Sequence, residues 1–276
     1  MPTFALTCRS LTWLTTLSLA ASVSAHETWL TPQSEPPQQG KPFVLTMTSG
    51  DRFPALSLGI ARERVGLAEC REAGAALPLL PQKRSSNALQ LTVQRGAPAP
   101  LMCWVTLHPR ELVLTANKIN LYLDEIDATP ALRQAWAEVP APRVWQETYA
   151  KHAKVIVPSP RTPADTTLSQ PVGMPLEVVP ETDLSTGRLD GPLRVRVLAQ
   201  GRPVPDLSVV LHGERRGPPA RRRTDEEGRV TFAAPAAGRW MLSTTDLRLA
   251  DAKTGQWTSQ FATLTFEVFK AAQPSH

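Results

Sequence analysis

Prolines set the first constraint on this chain. There are 27 of them among 276 residues. Each removes a backbone donor and fixes φ, so neither a long helix nor a central strand can run far before meeting one. Between the prolines lie short runs rich in Val, Leu and Thr, a pattern that favours short strands and loops over long helices. Strands are predicted at 43–48, 55–60, 88–93, 101–107 and 111–114 in the first part. In the second part they are predicted at 176–179, 193–198, 207–212, 230–232, 237–242 and 261–269. Turns rich in Asp and Gly at 201–206 and 224–229 punctuate the second set, because these residues supply local hydrogen bonds and tolerate unusual φ.

The fold class read from this spacing is mainly β: two antiparallel β-sandwich domains of the immunoglobulin or transthyretin kind, with a short helical segment between them. The boundaries are a first sandwich over 26–117, a helical connection over 118–156, a linker over 157–173 rich in Pro, Thr and Ser, and a second sandwich over 174–270. A tail over 271–276 follows. Within the helical connection, Ile119, Leu121, Tyr122 and Ile126 suit one short helix and 131–136 a second. Trp145, Tyr149 and His152, at i, i+4 and i+7, predict a third helix over 143–154.

Residues 1–25 read as a secretory signal. One charge, Arg9, precedes an apolar run from Leu11 to Ala21, and Val23 and Ala25 stand at the −3 and −1 positions of a cut. No other apolar run approaches roughly 18 residues, so no transmembrane segment is expected in the mature chain. The formal charge of +5 falls to +4 without Arg9, an excess too mild to argue for nucleic acid. Cys8 leaves with the signal. Cys70 and Cys103 remain, in an oxidising compartment where they are candidates for one disulfide or, equally, two buried thiols.

The cut after Ala25 makes His26 the first residue of the exported protein. Its α-amine and imidazole can together close a chelate ring on a transition metal, and both titrate near neutral pH, so a metal displaces their protons at small cost. Nitrogen donors suit Cu, Ni, Co and Zn. Two donors do not make a tight site. His108 and His152 are the leading further ligands, with His212 and His276 behind them and Glu27 or Asp51 as oxygen donors. No two histidines have a metal-ligand spacing such as i, i+4, so the fold must assemble any such site. The plain alternative is that His26 is an extended-strand residue pinned by Trp29 and Leu30, and that Trp145 and Tyr149 are core.

A second conspicuous feature is the run 213–223, where Arg215, Arg216, Arg221, Arg222 and Arg223 flank two prolines between strands. It reads as a solvated hairpin tip, or as a loop for an anionic partner. The sequence has no Gly-x-Ser-x-Gly, Cys-x-x-Cys, phosphate loop or His-Glu-x-x-His, which leaves hydrolase, dithiol and nucleotide-binding readings without support.

Four stretches carry a family resemblance: 25–30 (Ala-His-Glu-Thr-Trp-Leu), 145–154 around Tyr149 and Lys151, 175–180 (Pro-Leu-Glu-Val-Val-Pro), and the turns at 201–204, 224–229 and 238–240. Together they resemble a bacterial periplasmic family whose domain is of unknown function. Many of its members are described as the periplasmic component of cobalt or nickel transport. The second half is also similar to transthyretin-like and carboxypeptidase-regulatory-like modules. The resemblance implies a periplasmic protein without enzyme activity that handles Ni or Co for a metal-uptake membrane complex. The alternative is a structural or adhesion-type module that binds an envelope partner without metal. A copper oxidase built on an N-terminal histidine chelate is the remotest reading, since it needs a second histidine held against the first.

Overall fold

The structure is a computed structural model in which residues 26–33, 42–96, 99–160, 162–215 and 217–270 are described. The expected signal, the tail and Arg216 lie outside the described residues. In chain order the first half contains β1 (Glu27–Pro32), β2 (Phe43–Gly50), β3 (Leu58–Gly59), β4 (Val65–Glu72), β5 (Ala75–Pro78), β6 (Leu80–Arg84), β7 (Leu89–Val93), β8 (Leu101–Leu107) and β9 (Arg110–Leu114). Helices α1 (Ala116–Glu125) and α2 (Pro130–Glu138) and the long strand β10 (Trp145–Val157) follow. The second half contains β11 (Leu176–Pro180), β12 (Leu193–Ala199), β13 (Arg202–Pro203), β14 (Ser208–Gly213), β15 (Ala220–Arg223), β16 (Arg229–Phe232), β17 (Gly238–Asp251) and β18 (Gln256–Val268).

Among the described residues these strands form three sheets. A large sheet runs β15-β14-β17-β18-β10-β8-β4-β5, with β9 also paired to β10. A second sheet runs β1-β2-β7-β6 with β3 on β2, and a third runs β11-β12-β13 with β16 on β12. The fold is mainly β, as the sequence predicts. The large sheet crosses the expected domain boundary, because β10 of the first half pairs in parallel with β18 of the second, from Gln146↔Gln256 to Val155↔Thr265.

Side-chain alternation explains how one sheet serves two halves. Successive residues of a strand point to opposite faces. On β8, Leu101, Cys103, Val105 and Leu107 enter one core with β2 and β7, while Met102 and Trp104 enter another with β11, β12 and β16. On β10, Ala153, Val155 and Val157 join the first core and Ile156 joins the second. Two sandwiches therefore share the large sheet and lie on its opposite faces. Each fully buried Val or Leu contributes roughly 1.5–3 kcal/mol, so neither layer comes away cheaply.

The third expected helix, over 143–154, is corrected: the helices end at Glu138 and 145–157 is strand β10. Trp145, Tyr149 and His152 do not share a face. Trp145 and Tyr149 point to one side and His152 to the other. With both faces buried, β10 has apolar residues on both sides and the period of two is masked. The predicted strand over 55–60 shrinks to Leu58–Gly59. Thr48 holds the turn before it, its hydroxyl accepting from the amides of Ser57 and Leu58.

The two helices sit where the sequence places them. Thr129 caps α2, accepting from the amide of Leu132 at 3.3 Å, and Pro130 opens it. Past the C-cap of α1 at Ile126, Asp127 has φ +53°, which turns the chain out of the helix. Both helices close a cluster at one end of the large sheet, in which the Trp145 and Trp257 rings stack with centroids 4.4 Å apart. Glu147 anchors α1 from beneath. Its carboxyl accepts from the Tyr122 hydroxyl at 2.9 Å, from the Trp145 indole at 2.8 Å and from the Ser259 hydroxyl.

A second buried acid fixes the chain between the halves. Glu177 pairs with Lys154, and both side chains are at most 2% exposed. Its carboxylate also accepts from the amides of Val172, Gly173 and Met174 at 2.9, 3.0 and 3.3 Å.

Candidate functional site

The face of the large sheet that carries Trp145, Tyr149, Lys151 and Ala153 has two covers. The helical cluster takes one end, with Trp145, Tyr149 and Phe261, and the sheet containing β2 and β7 takes the other, with Ala153 and Val155. Lys151 falls between them. β1 crosses the sheet here. Its carbonyls at Thr28 and Leu30 accept from the hydroxyls of Thr263 and Thr265 at 2.6 and 2.5 Å, so threonines on β18 substitute for a ladder partner. Trp29, fully buried against Phe53 and Met241, holds the strand down.

The start of β1 thereby becomes one wall of a recess of about 190 Å³. β2 contributes Gly50, with Asp51 just after it. α1 contributes its C-terminal end at Glu125 and Ile126. β14 contributes Ser208, Val210 and His212, β15 Arg221, and β17 Ser243 to Thr245. Register explains the last groups: Val210 pairs with Ser243 and His212 with Met241, so these side chains share the face. Gly50 is required by space. A Cβ there would stand 2.7 Å from the Cβ of Ser57 and 3.3 Å from the Trp29 ring.

Burial governs the charges. Glu27 is half-buried as a residue, but its Oε2 is buried with no hydrogen-bond partner. Desolvation pushes its carboxyl up to about 7, against the pull of the Lys151 charge and a hydrogen bond from Ser243. Lys151 is pushed down to about 8 by desolvation, opposed by the charge of Glu27. Its ammonium donates to the carbonyl of His26 and lies 5.8 and 5.4 Å from the ring centres of Tyr149 and Phe261, a cation–π cage. His212 is pushed down to about 4, by burial and then by Arg221, so it is neutral at pH 7. Its Nε2 lies 3.0 Å from the Ser243 oxygen. Since Ser243 gives its proton to Glu27, its oxygen accepts from His212, which places the imidazole proton on Nε2.

His26 stands at the mouth, its Nε2 3.3 Å from Oδ1 of Asp51. That contact engages Nε2 and not Nδ1, the nitrogen that closes a chelate with an α-amine.

The other predicted ligands are elsewhere. His108 is exposed on the turn after β8, bonded through its backbone to Arg64. His152 is 2% exposed on the opposite face of the sheet. Its Nε2 lies 2.7 Å from Gln260 Oε1, its Nδ1 is buried without a partner, and burial lowers its pKa. No three His, Cys, Asp or Glu side chains gather closely enough to share a metal ion among the described residues. Cys70 and Cys103 do meet: they face each other across β4 and β8 and form a disulfide.

The arginine run is drawn inward in part. Arg221 donates to Ser208 and to the carbonyl of Glu125, and Arg223 to Asp206 and to the carbonyl and carboxylate of Asp127. Both bind the C-terminal end of α1, where carbonyls lack helical partners and the dipole is negative. Arg215 and Arg222 remain exposed. A larger hollow of about 390 Å³ lies between α1 and α2. Its Arg133 and Arg143 are occupied by backbone carbonyls of the helices.

Sequence reasoning reached Glu27, Asp51 and His212 as lesser donors, and missed the electrostatic influence of Lys151 on Glu27. The readable signal was a charged residue at a strand position where alternation demands a buried one.

The sequence pattern of a family described as domain of unknown function (DUF4198) matches residues 23–246. No curated protein matches. Among solved structures the chain is similar to the D0-D1 domain of intimin, with 12% identity over 88% of this chain and 98% of that one and a TM-score of 0.23. It is also similar to a 1.5-MDa bacterial ice-binding adhesin, with 10% identity over 84% and 59% and a TM-score of 0.24. A third is the MG0-NIE-MG1 part of Escherichia coli alpha-2-macroglobulin, with 11% identity over 83% and 95% and a TM-score of 0.21. Scores this low carry no inference about shared topology or function.

Proposed function

Because the chain belongs to the DUF4198 family, whose function is not known, we propose its role from its own residues: a non-enzymatic binding module of the bacterial envelope, exported to the periplasm, that holds a partner at the recess beside β1. One observation carries this reading. The recess opens where the two covers of the large sheet leave a gap, and a carboxylate oxygen sits buried there with no hydrogen-bond partner. A buried acceptor left unmade costs roughly 1–3 kcal/mol or more when charged, a cost that an incoming donor removes. The shared sheet supports the same reading, since it presents Ser243 to Thr245 on β17, a strand of 14 residues, beside Ser208, Val210 and His212 on β14.

The test is photocrosslinking in living cells from a rim position, Thr245, compared with the remote exposed position Leu80. A defined product from the rim that is lost in Glu27→Gln supports the reading. Equal products from both positions, unchanged by that substitution, remove it.

A second reading, delivery of Ni or Co, is favoured by the His26–Asp51 contact, which leaves Nδ1 available beside the α-amine formed by the cut. Titration with Ni, Co, Cu and Zn of a chain beginning at His26, against the same chain with one extra residue before it, tests this. Equal affinities for the two chains sink it.

A further inference from the structure

We infer that the recess is a receptor for a protonated primary amine, with the Glu27 carboxylate as its anionic contact. The inference rests on the partner-binding reading and names the chemistry of what is held. Four observations converge on it. The buried Oε2 of Glu27 needs donors, and an ammonium brings three. The C-terminal end of α1 lines the recess through Glu125 and Ile126, so the negative end of the helix dipole faces a cation there. The one guanidinium in the wall, Arg221, is turned to Ser208 and the Glu125 carbonyl. His212 is neutral, so it does not repel a cation. The volume, about 190 Å³, equals roughly six waters at ~30 Å³ each. That is far more than a bare metal ion fills, and it suits an ammonium on a short carbon chain. Val210 and Ile126 offer the chain an apolar wall, and the hydroxyls of Thr245 and Ser208 offer the ammonium further acceptors.

The charged and titratable groups around the recess are Lys151 on β10, Asp51 after β2, Glu125 on α1, His212 on β14 and Arg221 on β15.

The probe is n-butylammonium chloride, titrated into the exported protein at pH 8 by calorimetry and by NMR, with butan-1-ol and tetramethylammonium as controls. Expected results are saturable binding of butylammonium only, and at least tenfold weaker binding in Glu27→Gln. If Glu27→Gln fails to fold, Thr245→Val replaces it, with a severalfold loss expected. Two peptides separate the sources of the amine. Binding of a lysine peptide that its Nε-acetylated form lacks identifies a protein side chain; binding of butylammonium with no peptide binding identifies a free small amine. Both support the site. Equal binding of butan-1-ol, or butylammonium affinity unchanged in the variant, overturns it. Rim crosslinks that persist while butylammonium fails to bind would overturn the amine and leave the partner-binding reading standing.

Discussion

Glu27 and His212 share one serine and respond to pH in opposite directions. Glu27 has its folded pKa raised, from 4.5 to about 7. The folded state therefore holds its proton longer than the unfolded state, and stability is lost as pH rises from about 4.5 to about 7. His212 has its folded pKa lowered, from 6.5 to about 4. Here the unfolded state holds the proton longer, and stability is lost as pH falls from about 6.5 to about 4. Each difference is about 2.5 pH units, worth up to ~3.5 kcal/mol at ~1.4 kcal/mol per unit. Both residues are half-buried, so water screens part of this and about 1–2 kcal/mol remains for each. The windows overlap, and the two slopes nearly cancel in the native protein. Removing one exposes the other. Glu27→Gln should leave stability rising with pH across 4.5–6.5 relative to the native protein, and His212→Gln should leave it falling, each by ~1–2 kcal/mol. Urea unfolding followed by tryptophan fluorescence at half-unit pH steps measures both. The differences from wild type are what count, since Glu147 and His152 also have shifted pKa values and are common to all three proteins. Difference curves of the same sign would refute the reasoning.

The buried pair of Lys154 and Glu177 is asymmetric: Glu177→Leu strands a lysine and three amides and should cost ~4–6 kcal/mol, against ~2–4 for Lys154→Met, with the double variant well below the sum by urea unfolding. The Cys70–Cys103 bridge closes a separation of 33 residues, so the double alanine variant should lose roughly 3–4 kcal/mol by the chain-entropy relation and melt several degrees lower by calorimetry. Arg223→Ala removes the contact with the end of α1 and should raise amide exchange at 124–127 severalfold, while Arg222→Ala should leave it unchanged. A chain that retains Ala25 before His26 should fold with the same circular dichroism spectrum and lose any chelate affinity for Cu.

Much of the strand pattern was legible because those strands bury one face or run as short apolar stretches between prolines. Phe43–Gly50, Leu101–Leu107 and Leu193–Ala199 are of this kind. The helices were legible from Ile119, Leu121, Tyr122 and Ile126 and from the run 131–136. β10 was not, because Trp145 and Tyr149 serve one core and Ile156 the other, and two buried faces erase the alternation. β4 to β6 escaped notice because much of their length is exposed and little alternates. The recess was half legible. His26, Glu27 and Asp51 stand near each other in the sequence or across one hairpin-like pairing, whereas Lys151, His212 and Ser243 arrive through pairings that only the completed large sheet makes.

That sheet also fixes an order of events. β10 is flanked by β8, made earlier, and by β18, which ends at Val268. Until β18 is made, β10 has an unpaired edge, and the core with β11 and β12 and the helical cluster both lack the side chains that β18 supplies. Folding must then wait for contacts about 110 residues apart in sequence, a separation that slows it. A chain without β18 would lose Ala262, Leu264, Phe266 and Val268 from the core with β11 and β12 and Trp257 and Phe261 from the helical cluster, while the core with β2 and β7 draws no buried apolar side chain from that strand. The amino-terminal recess is thus the last part of the molecule to be completed, although its first residues are the first to appear.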